Sequence, residues 1–449
     1  MRTRLRHYRI LLRASFWFVP GLMVVGSVLL ASVALALDAS MAGAPLPDWV
    51  FAGGADGARA LLSTVAGSVV TVAGVGFSIT IVALVLASTQ FGPRLLTLFM
   101  RDTTSQATLG TFAGTFTYCI LVLRTIRSPG EGGTAFVPQL AISIAIGLTL
   151  LSVSALIYFF HHVAVAIQAP KLVATVSRDL DRAIDDLYPG AMGRGGPEPD
   201  AGEIPDPEVD AVVLAESSGY VQVVDDAALL ELARRNDLCV RLRTRPGLFV
   251  VGGNPILVAR PLSRVDGSLA AQLRSTLIIG NVRTPEDDIE FSVRQLVEVA
   301  LRALSPAIND PFTAMAAVDW LGAALARLAT EEFPSRYRYD DEGRLRVVAD
   351  VSTFGGITHT IFSRIRHYGG SSPVVLNRLL EAVAGFGPRL RDPNDRKLVR
   401  DETEAVLRMG RALITSDADL EELERRYRAA VTALDSAAEV APVAASSGP

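Results

Sequence analysis

The chain has 449 residues, half of which are apolar, and its mean hydropathy of +0.34 is high for a soluble protein. The formal net charge of −4 argues against nucleic acid as the partner, because nucleic-acid-binding domains are generally basic. The two cysteines, Cys119 and Cys239, do not suggest a disulfide framework, and their spacing is not that of a metal site.

The first 165 residues hold most of the apolar excess and are predicted to form a four-helix transmembrane domain. A helix needs roughly 20 apolar residues to cross a bilayer. The four candidate spans are residues 15–37, 60–87, 107–123 and 137–160, and none contains Asp, Glu, Lys, Arg or His. Because ionisable groups inside spans usually mark ion-coupled transport, this composition argues against a secondary transporter or a pump. It does not argue against a channel with a neutral constriction.

Arginines dominate the segment before the first span, whereas aspartates dominate the loop after it. That loop carries three aspartates and only Arg59, so the positive-inside rule places the N-terminus in the cytoplasm. Four crossings return the chain to the same side, which predicts a cytoplasmic C-terminus. Arg124 and Arg127 fall on the predicted outer side and oppose this assignment. The arginines before the first span are Arg2, Arg4, Arg6, Arg9 and Arg13.

The second span carries a stripe of small or weakly polar residues at steps of four, four, three and four. They are Ser63, Gly67, Thr71, Gly74 and Ser78. This spacing places them on one helix face, where they serve either close helix packing or the lining of a pore. Four helices are too few to enclose a wide pore, so conduction would require an oligomer. The pairs Gly110/Gly114 and Ser143/Gly147 in the later spans predict packing seams.

Two segments at the predicted cytoplasmic ends of the spans contain polar or charged side chains. Residues 91–106 combine leucine, phenylalanine and methionine with Arg94 and Arg101, which predicts a short interfacial helix. His161 and His162 follow the fourth span. Adjacent residues point about 100° apart on a helix, so we interpret these histidines as interfacial side chains rather than metal ligands.

Residues 166–208 are predicted to connect the membrane domain to a soluble region. They comprise an amphipathic helix over residues 170–187 and a flexible linker over residues 189–208, rich in Gly, Pro, Asp and Glu. A small α+β domain over residues 209–265 follows, as a half-barrel or antiparallel sheet with one helix at 227–235. Its strands are expected at residues 212–217, 220–224, 238–245, 248–253 and 255–261. Its glycines lack phosphate- or dinucleotide-binding spacing, so no cofactor is predicted.

A helix–turn–helix over residues 280–313 is predicted to anchor the soluble region. Thr284 is suited to be the N-cap of the first helix, with Pro285 as its first residue. Asp310 and Pro311 are expected to cap and open the second helix.

Charged residues on the first of these helices have two interpretations each. Four charges of alternating sign at steps of four form either a solvated face or a subunit contact; they are Glu290, Arg294, Glu298 and Arg302. The acids Glu286, Asp287 and Asp288 stand at the start of the helix. There they either interact favourably with the helix dipole, as capping residues do, or bind a divalent cation.

The remainder is predicted to be a mainly helical domain over residues 266–435 with a disordered tail over 436–449. One strand at 345–350 precedes the later helices, expected at residues 357–367, 373–385, 392–414 and 417–434. His359 has no cysteine or acid at a catalytic spacing, and the Gly-x-Ser-x-Gly and His-Glu-x-x-His motifs are missing from the sequence. The sequence therefore predicts that the protein is not an enzyme.

Two segments resemble a family of bacterial predicted membrane proteins, domain-of-unknown-function family 2254. They are GFSITIVALVLASTQFGPRLL at residues 76–96 and ALSPAINDPFTA at residues 303–314, with Asp288-Ile289-Glu290-Phe291 upstream. The motif residues in the turn are Ser305, Pro306, Asn309, Asp310 and Pro311. The resemblance covers nearly the whole chain and implies a bacterial inner-membrane protein, but it implies no activity.

Together these patterns favour an oligomeric, channel-like membrane protein whose cytoplasmic part gates or assembles the pore. The alternative is a non-conducting membrane-anchored scaffold or sensor, in which every small-residue stripe is a packing seam. The expected partners are the lipid bilayer, further copies of the chain and an ion or small solute, with no nucleic acid.

Overall fold

The computed structural model describes residues 17–41, 50–91, 102–128, 136–166, 168–185, 194–284, 288–331, 333 and 335–436. The chain divides into two compact units, Met1–Lys171 and Leu172–Pro449. We call them the membrane unit and the C-terminal unit.

The membrane unit contains four helices that are long and apolar enough to cross a bilayer, as predicted. They are α1 (Phe18–Ser40), α2 (Ala55–Phe91), α3 (Thr103–Leu123) and α4 (Gln139–Ala166). Half of the most apolar window of α3 is buried inside the unit, against 17–22% for the other three, so α3 is the central helix. The predicted interfacial helix falls mostly on residues 92–101, outside the described residues.

Small residues bring α3 against α1. A Cβ added to Gly110 would lie 2.5 Å from Sδ of Met23, and one added to Gly114 would lie 2.5 Å from Oγ of Ser27. The predicted seam at this glycine pair is therefore confirmed. The seam expected on α4 does not include Gly147, because a Cβ there would meet no atom within 4 Å.

The C-terminal unit contains two sheets. Its strands are β1 (Arg194–Gly195), β2 (Ala211–Leu214), β3 (Gly219–Val224), β4 (Cys239–Leu242), β5 (Phe249–Val250), β6 (Pro255–Arg260), β7 (Leu277–Gly280), β8 (Tyr337–Tyr339) and β9 (Leu345–Val348). The six-stranded sheet has the order β1-β8-β9-β4-β6-β2, and the three-stranded sheet has the order β5-β3-β7. The sequence predicted a half-barrel or an antiparallel sheet for residues 209–265, and the strands of that range do pair antiparallel with one another. The pair β4–β9 is parallel, so the larger sheet as a whole is mixed.

The larger sheet does not respect the domain boundary predicted at residue 265. Strand β9 pairs with β4, and β8 extends the sheet further, so two strands from the predicted helical domain complete the α+β layer. One face of the sheets is covered by α6 (Asp226–Arg235) and α7 (Gly267–Arg274). The largest contributors to this core include Val221, Leu229, Leu238, Val240, Ile256, Leu257, Leu273 and Val347.

The segment predicted as a flexible linker is ordered where the structure describes it, from residue 194 onwards. Strand β1 pairs with β8, and the hydroxyl of Tyr337 donates to Oε1 of Glu198 over 2.8 Å. Nη1 of Arg241 on β4 donates to the carbonyl of Pro205 over 3.4 Å. Hydrogen bonds to the sheet therefore hold this polar segment, which the composition alone assigns to a linker.

The described part of the chain contains seven further α-helices. They are α5 (Ala169–Asp185), α8 (Ile289–Ala303), α9 (Pro311–Leu328), α10 (Phe354–Gly369), α11 (Pro373–Phe386), α12 (Pro393–Leu413) and α13 (Asp417–Ser436). Helix α8 is the most enclosed of these, with 11 of its 15 residues buried. The interpretation of its charge ladder as a solvated face is wrong at Glu290, which is only 5% exposed.

Candidate functional site

The predicted stripe on α2 is exposed along its whole length. All five residues are exposed in the single chain, and a Cβ added to Gly67 or Gly74 would meet no atom within 4 Å. The hydroxyl of Thr71 donates to the carbonyl of Gly67, and that of Ser78 to the carbonyl of Gly74, each over 2.9 Å. The stripe is therefore a neutral face, and the hydroxyls of Thr71 and Ser78 donate to carbonyl groups of their own helix. It is not a seam between helices of one chain.

An aspartate that the sequence assigned to a loop lies at one end of the bundle. Asp38 is in the last turn of α1 and is 9% exposed. Its carboxylate accepts the backbone N–H groups of Leu140 at 2.9 Å and Ala141 at 2.8 Å. A carboxylate from the first helix therefore caps the fourth, which satisfies helix N–H groups that have no intrahelical acceptor. The sequence separation of about a hundred residues hides this contact from any local motif.

A second aspartate joins helices at the other end of α3. Asp102 is the N-cap of α3 and accepts the N–H of Ser105 at 3.1 Å. Its Oδ2 lies 2.9 Å from Nε2 of His162 near the end of α4, and the His162 ring stacks on Tyr158. His162 thus connects the end of α4 to the start of α3. Both described ends of the bundle are fastened by a carboxylate.

The family turn between α8 and α9 has the capping geometry predicted from its sequence. Asp310 is the N-cap of α9, and its carboxylate accepts the N–H of Thr313 at 3.1 Å and the Thr313 hydroxyl at 2.6 Å. These hydrogen bonds lower the pKa of Asp310. The backbone N–H of Asp310 donates to the carbonyl of Ala303 over 2.8 Å, which closes the turn. Asn309 has a φ of +49°, in the left-handed region that asparagine tolerates well.

The upstream acid Asp288 has taken the place predicted for Thr284. Asp288 is the N-cap of α8 and accepts the N–H of Phe291 at 3.1 Å. Nε and Nη2 of Arg283 donate to the same carboxylate over 2.5 and 2.9 Å. Burial raises the pKa of Asp288 more strongly than Arg283 lowers it. Because Arg283 and the helix cap already occupy this carboxylate, it is a poor cation ligand; Glu286 and Asp287 lie outside the described residues.

Glu290 connects α8 to the sheet layer. Its carboxylate accepts a hydrogen bond from Arg245 at 2.6 Å and another from Arg294 at 2.9 Å. Arg245 follows β4, whereas Arg294 is one turn along α8, so Glu290 ties two elements that are distant in sequence. Burial lowers the pKa of the Arg294 guanidinium. The acids upstream of the family turn therefore hold α8 in place.

One histidine has an acidic partner that its sequence neighbourhood does not reveal. Nδ1 of His359 lies 2.6 Å from Oε1 of Glu402, and Nη1 of Arg366 donates to Oε2 of the same carboxylate over 2.9 Å. Glu402 is on α12, 43 residues beyond His359, so no local spacing in the sequence reveals this acid. The His359 side chain is 65% exposed, and the contact fastens α10 to α12. Among the described residues, no group of three or more His, Cys, Asp or Glu side chains could hold a metal ion.

Comparisons with known proteins agree with the resemblance drawn from the motifs. The profile of the family described as Predicted membrane protein (DUF2254) matches residues 13–385. A protein of Mycobacterium tuberculosis and one of Mycobacterium bovis, each named only as uncharacterized, are 32% identical over 415 residues. These matches cover 91% of this chain and 78% of each relative. No solved structure matches the chain.

Proposed function

Because this chain belongs to the family of predicted membrane proteins DUF2254, whose activity is unknown, we propose that it is an oligomeric, channel-like protein. In this proposal it resides in the bacterial inner membrane with both termini in the cytoplasm. The C-terminal unit gates or assembles the pore and catalyses no reaction. Ions or small solutes are the proposed cargo, and further copies of the chain are the proposed partners.

The observation that carries this proposal is the exposure of the α2 stripe. A small, neutral face that none of the described helices of its own chain covers is available either to a central path or to a second subunit. Charge-free predicted spans fit a pore that selects by size and dryness rather than by ion coupling. The two aspartates at the helix ends fasten the bundle, so the helices around the stripe have a rigid support.

The second candidate function is a non-conducting membrane-anchored scaffold or sensor. It is favoured by the same face, because small residues also permit the close approach of helices from two chains. The two functions differ in what a larger side chain on the stripe does. In a pore it blocks the path, whereas in a seam it separates the subunits.

The experiment is the substitution Thr71→Leu, measured as ion flux in liposomes and as oligomer mass in detergent. A pore predicts lost flux in an intact oligomer, because leucine narrows and dries a small pore. A packing seam predicts a smaller oligomer or a lower melting temperature. Val70→Leu is the matched control, since Val70 is 47% exposed at the same depth but points about 100° away.

If Thr71→Leu conducts as the parent does and forms an oligomer of the same mass, this face does not line the pore. A parent protein that is monomeric and carries no flux would favour the scaffold or sensor.

A further inference from the structure

Three helix–helix turns of the C-terminal unit lie side by side at one end of its helices. They join α8 to α9, α10 to α11 and α12 to α13. A Cβ added to Gly369 would lie 3.2 Å from Cδ1 of Leu304, which brings the first turn against the second. A Cβ added to Gly370 would lie 2.9 Å from Cδ1 of Leu413, which brings the second against the third. We call this end the turn cluster.

Helices α9 and α11, which both begin in the turn cluster, also contact each other further along their lengths. Arg378 of α11 donates to both carboxylate oxygens of Asp319 of α9. Three residues further along α9, a Cβ added to Gly322 would lie 2.9 Å from Cβ of Ala382, four residues further along α11. The two helices therefore run parallel, so that Phe312 and Val374 emerge at the same end.

The turn cluster exposes five large apolar side chains. Their exposed fractions are 37% for Ile308, 77% for Phe312, 60% for Tyr368, 48% for Val374 and 48% for Leu413. Within the part of the chain that the structure describes, Phe312 is the most exposed large apolar side chain. The capping role of the family turn explains Asp310 and Pro311, but it gives no reason for a phenylalanine pointing into solvent. A contact between Phe312 and a partner outside this fold would explain its exposure.

Basic side chains flank these apolar side chains. Arg364, His367 and Tyr368 follow at helical spacing on one exposed face of α10. The ring of His367 meets that of Tyr368 edge-on at 5.2 Å, and neither Arg364 nor His367 forms an ion pair with another described residue. On the far side, Asp417 and Asp419 in the first turn of α13 bound the surface. The cationic side of the turn cluster therefore lies at α10.

We propose that the turn cluster docks on a lipid bilayer, with its apolar tips in the boundary between headgroups and acyl chains and Arg364 and His367 at the lipid phosphates. Aromatic and apolar side chains beside cations are the combination that binds membrane interfaces. Four of the side chains stand on separate helix ends and Ile308 stands in the turn between α8 and α9, an arrangement that a fluid lipid phase accommodates without a complementary groove. The same chain contains four helices that are long and apolar enough to cross a bilayer, so a bilayer is a surface that this chain is expected to meet.

The test measures the depth of a nitroxide spin label in the full-length protein, with one chain per lipid nanodisc. The label is attached to Phe312→Cys or, in a second variant that keeps the phenylalanine, to Tyr368→Cys. Phe249→Cys is the matched control, because Phe249 is a phenylalanine of the same unit with 56% exposure outside the turn cluster. The native cysteines react slowly: Cys119 is fully buried, and burial raises the pKa of Cys239 to about 12.

Docking predicts that labels at 312 and 368 collide more with oxygen, which partitions into lipid, than with a water-soluble nickel chelate. The label at 249 should show the reverse preference. If all three labels prefer the chelate, the turn cluster faces water and the proposal is overturned. If the labels at 312 and 368 become protected only when two chains share a nanodisc, the occupant is a second copy and the lipid proposal is equally overturned.

The charge complementarity has its own test in nanodiscs with anionic lipid. Arg364→Glu should move the label at Tyr368→Cys towards water. The same charge reversal at Arg243, an exposed arginine on the strand side of the unit, should leave the label depth unchanged. An unchanged depth in Arg364→Glu would overturn the assignment of this arginine to lipid phosphates.

Discussion

Asp310 shows how one carboxylate closes the family turn. It receives both the N–H and the hydroxyl of Thr313 and stands at the positive end of α9. We expect Asp310→Ala to lower the free energy of unfolding of the C-terminal unit by about 1 kcal/mol. Urea titration in detergent measures this, with the fluorescence of Trp320 on the same helix as a probe.

A matched control for this substitution is Ser372→Ala. Ser372 occupies the N-cap of α11, but its side chain makes no capping hydrogen bond, so its loss should cost much less. If Asp310→Ala is as stable as the parent yet inactive in cells, the aspartate contacts a partner or ion instead of serving the turn.

The same aspartate gives the substitution a pH dependence. The Thr313 hydrogen bonds lower the pKa of Asp310 in the folded state, so its contribution is fully present above the unfolded pKa of about 3.9. It is lost as the pH falls through the lower folded pKa. The stability difference between the parent and Asp310→Ala should therefore be constant at neutral pH and shrink in acid. A difference that grew in acid would contradict this account.

Single residues were predictable where their partners are near in sequence. Asp310 caps a helix that begins at the next residue, so a local motif is sufficient to identify it. Glu290 depends on Arg245, and Asp38 depends on the start of α4, and no local pattern contains either contact. Asp288 displaced Thr284 as the cap because its ion pair with Arg283 adds to the capping bond.

At the scale of elements, the contact between α1 and α3 depends on glycine. The backbone of Pro20 and the side chain of Met23 leave no room for a methyl group at Gly110. We expect Gly110→Ala to destabilise the membrane unit by about 1–3 kcal/mol through overpacking. The melting temperature in detergent measures this loss.

The control for this prediction is Gly147→Ala on α4, where the added Cβ would meet no atom within 4 Å. This variant should melt at or slightly above the temperature of the parent, because alanine favours the helix. Equal losses in the two variants would mean that the effect comes from the helix backbone rather than from the seam.

The long helices were predictable because hydropathy and period repeat over many residues. The strands β1, β7 and β8 were not predictable from the sequence. They have only two to four residues each, and they form strands because they pair with partners elsewhere in the chain. The pairing of β1 with β8 joins residues more than a hundred positions apart. Such strands are defined by the sheet and not by their own composition.

At the scale of the whole molecule, the prediction concerns orientation. The arginine-rich start, the acidic first loop and the four candidate spans predict that both termini lie in the cytoplasm. An impermeant thiol reagent added to whole cells should therefore label Ser40→Cys at the end of α1 but not Ser436→Cys at the end of α13. Labelling at 436 without labelling at 40 would reverse the assignment.

The domain plan was predictable only in outline. Four apolar helices followed by a mixed region could be derived from hydropathy, and the family resemblance held over residues 13–385. The true extent of the sheet could not be derived, because the boundary predicted at residue 265 was placed where the sequence changes from strand-rich to helix-rich. The larger sheet also includes β8 and β9, which follow α9 in the chain.

The parallel pair β4–β9 imposes an order on biosynthesis. Strand β4 leaves the ribosome about a hundred residues before the strand that covers its open side, so the nascent sheet has an unpaired edge during that interval. An unpaired strand edge is a template for association with other chains. A ribosome that stops before residue 337 would release a chain with this edge exposed. We therefore expect chains truncated before β8 to aggregate more readily than the full-length chain.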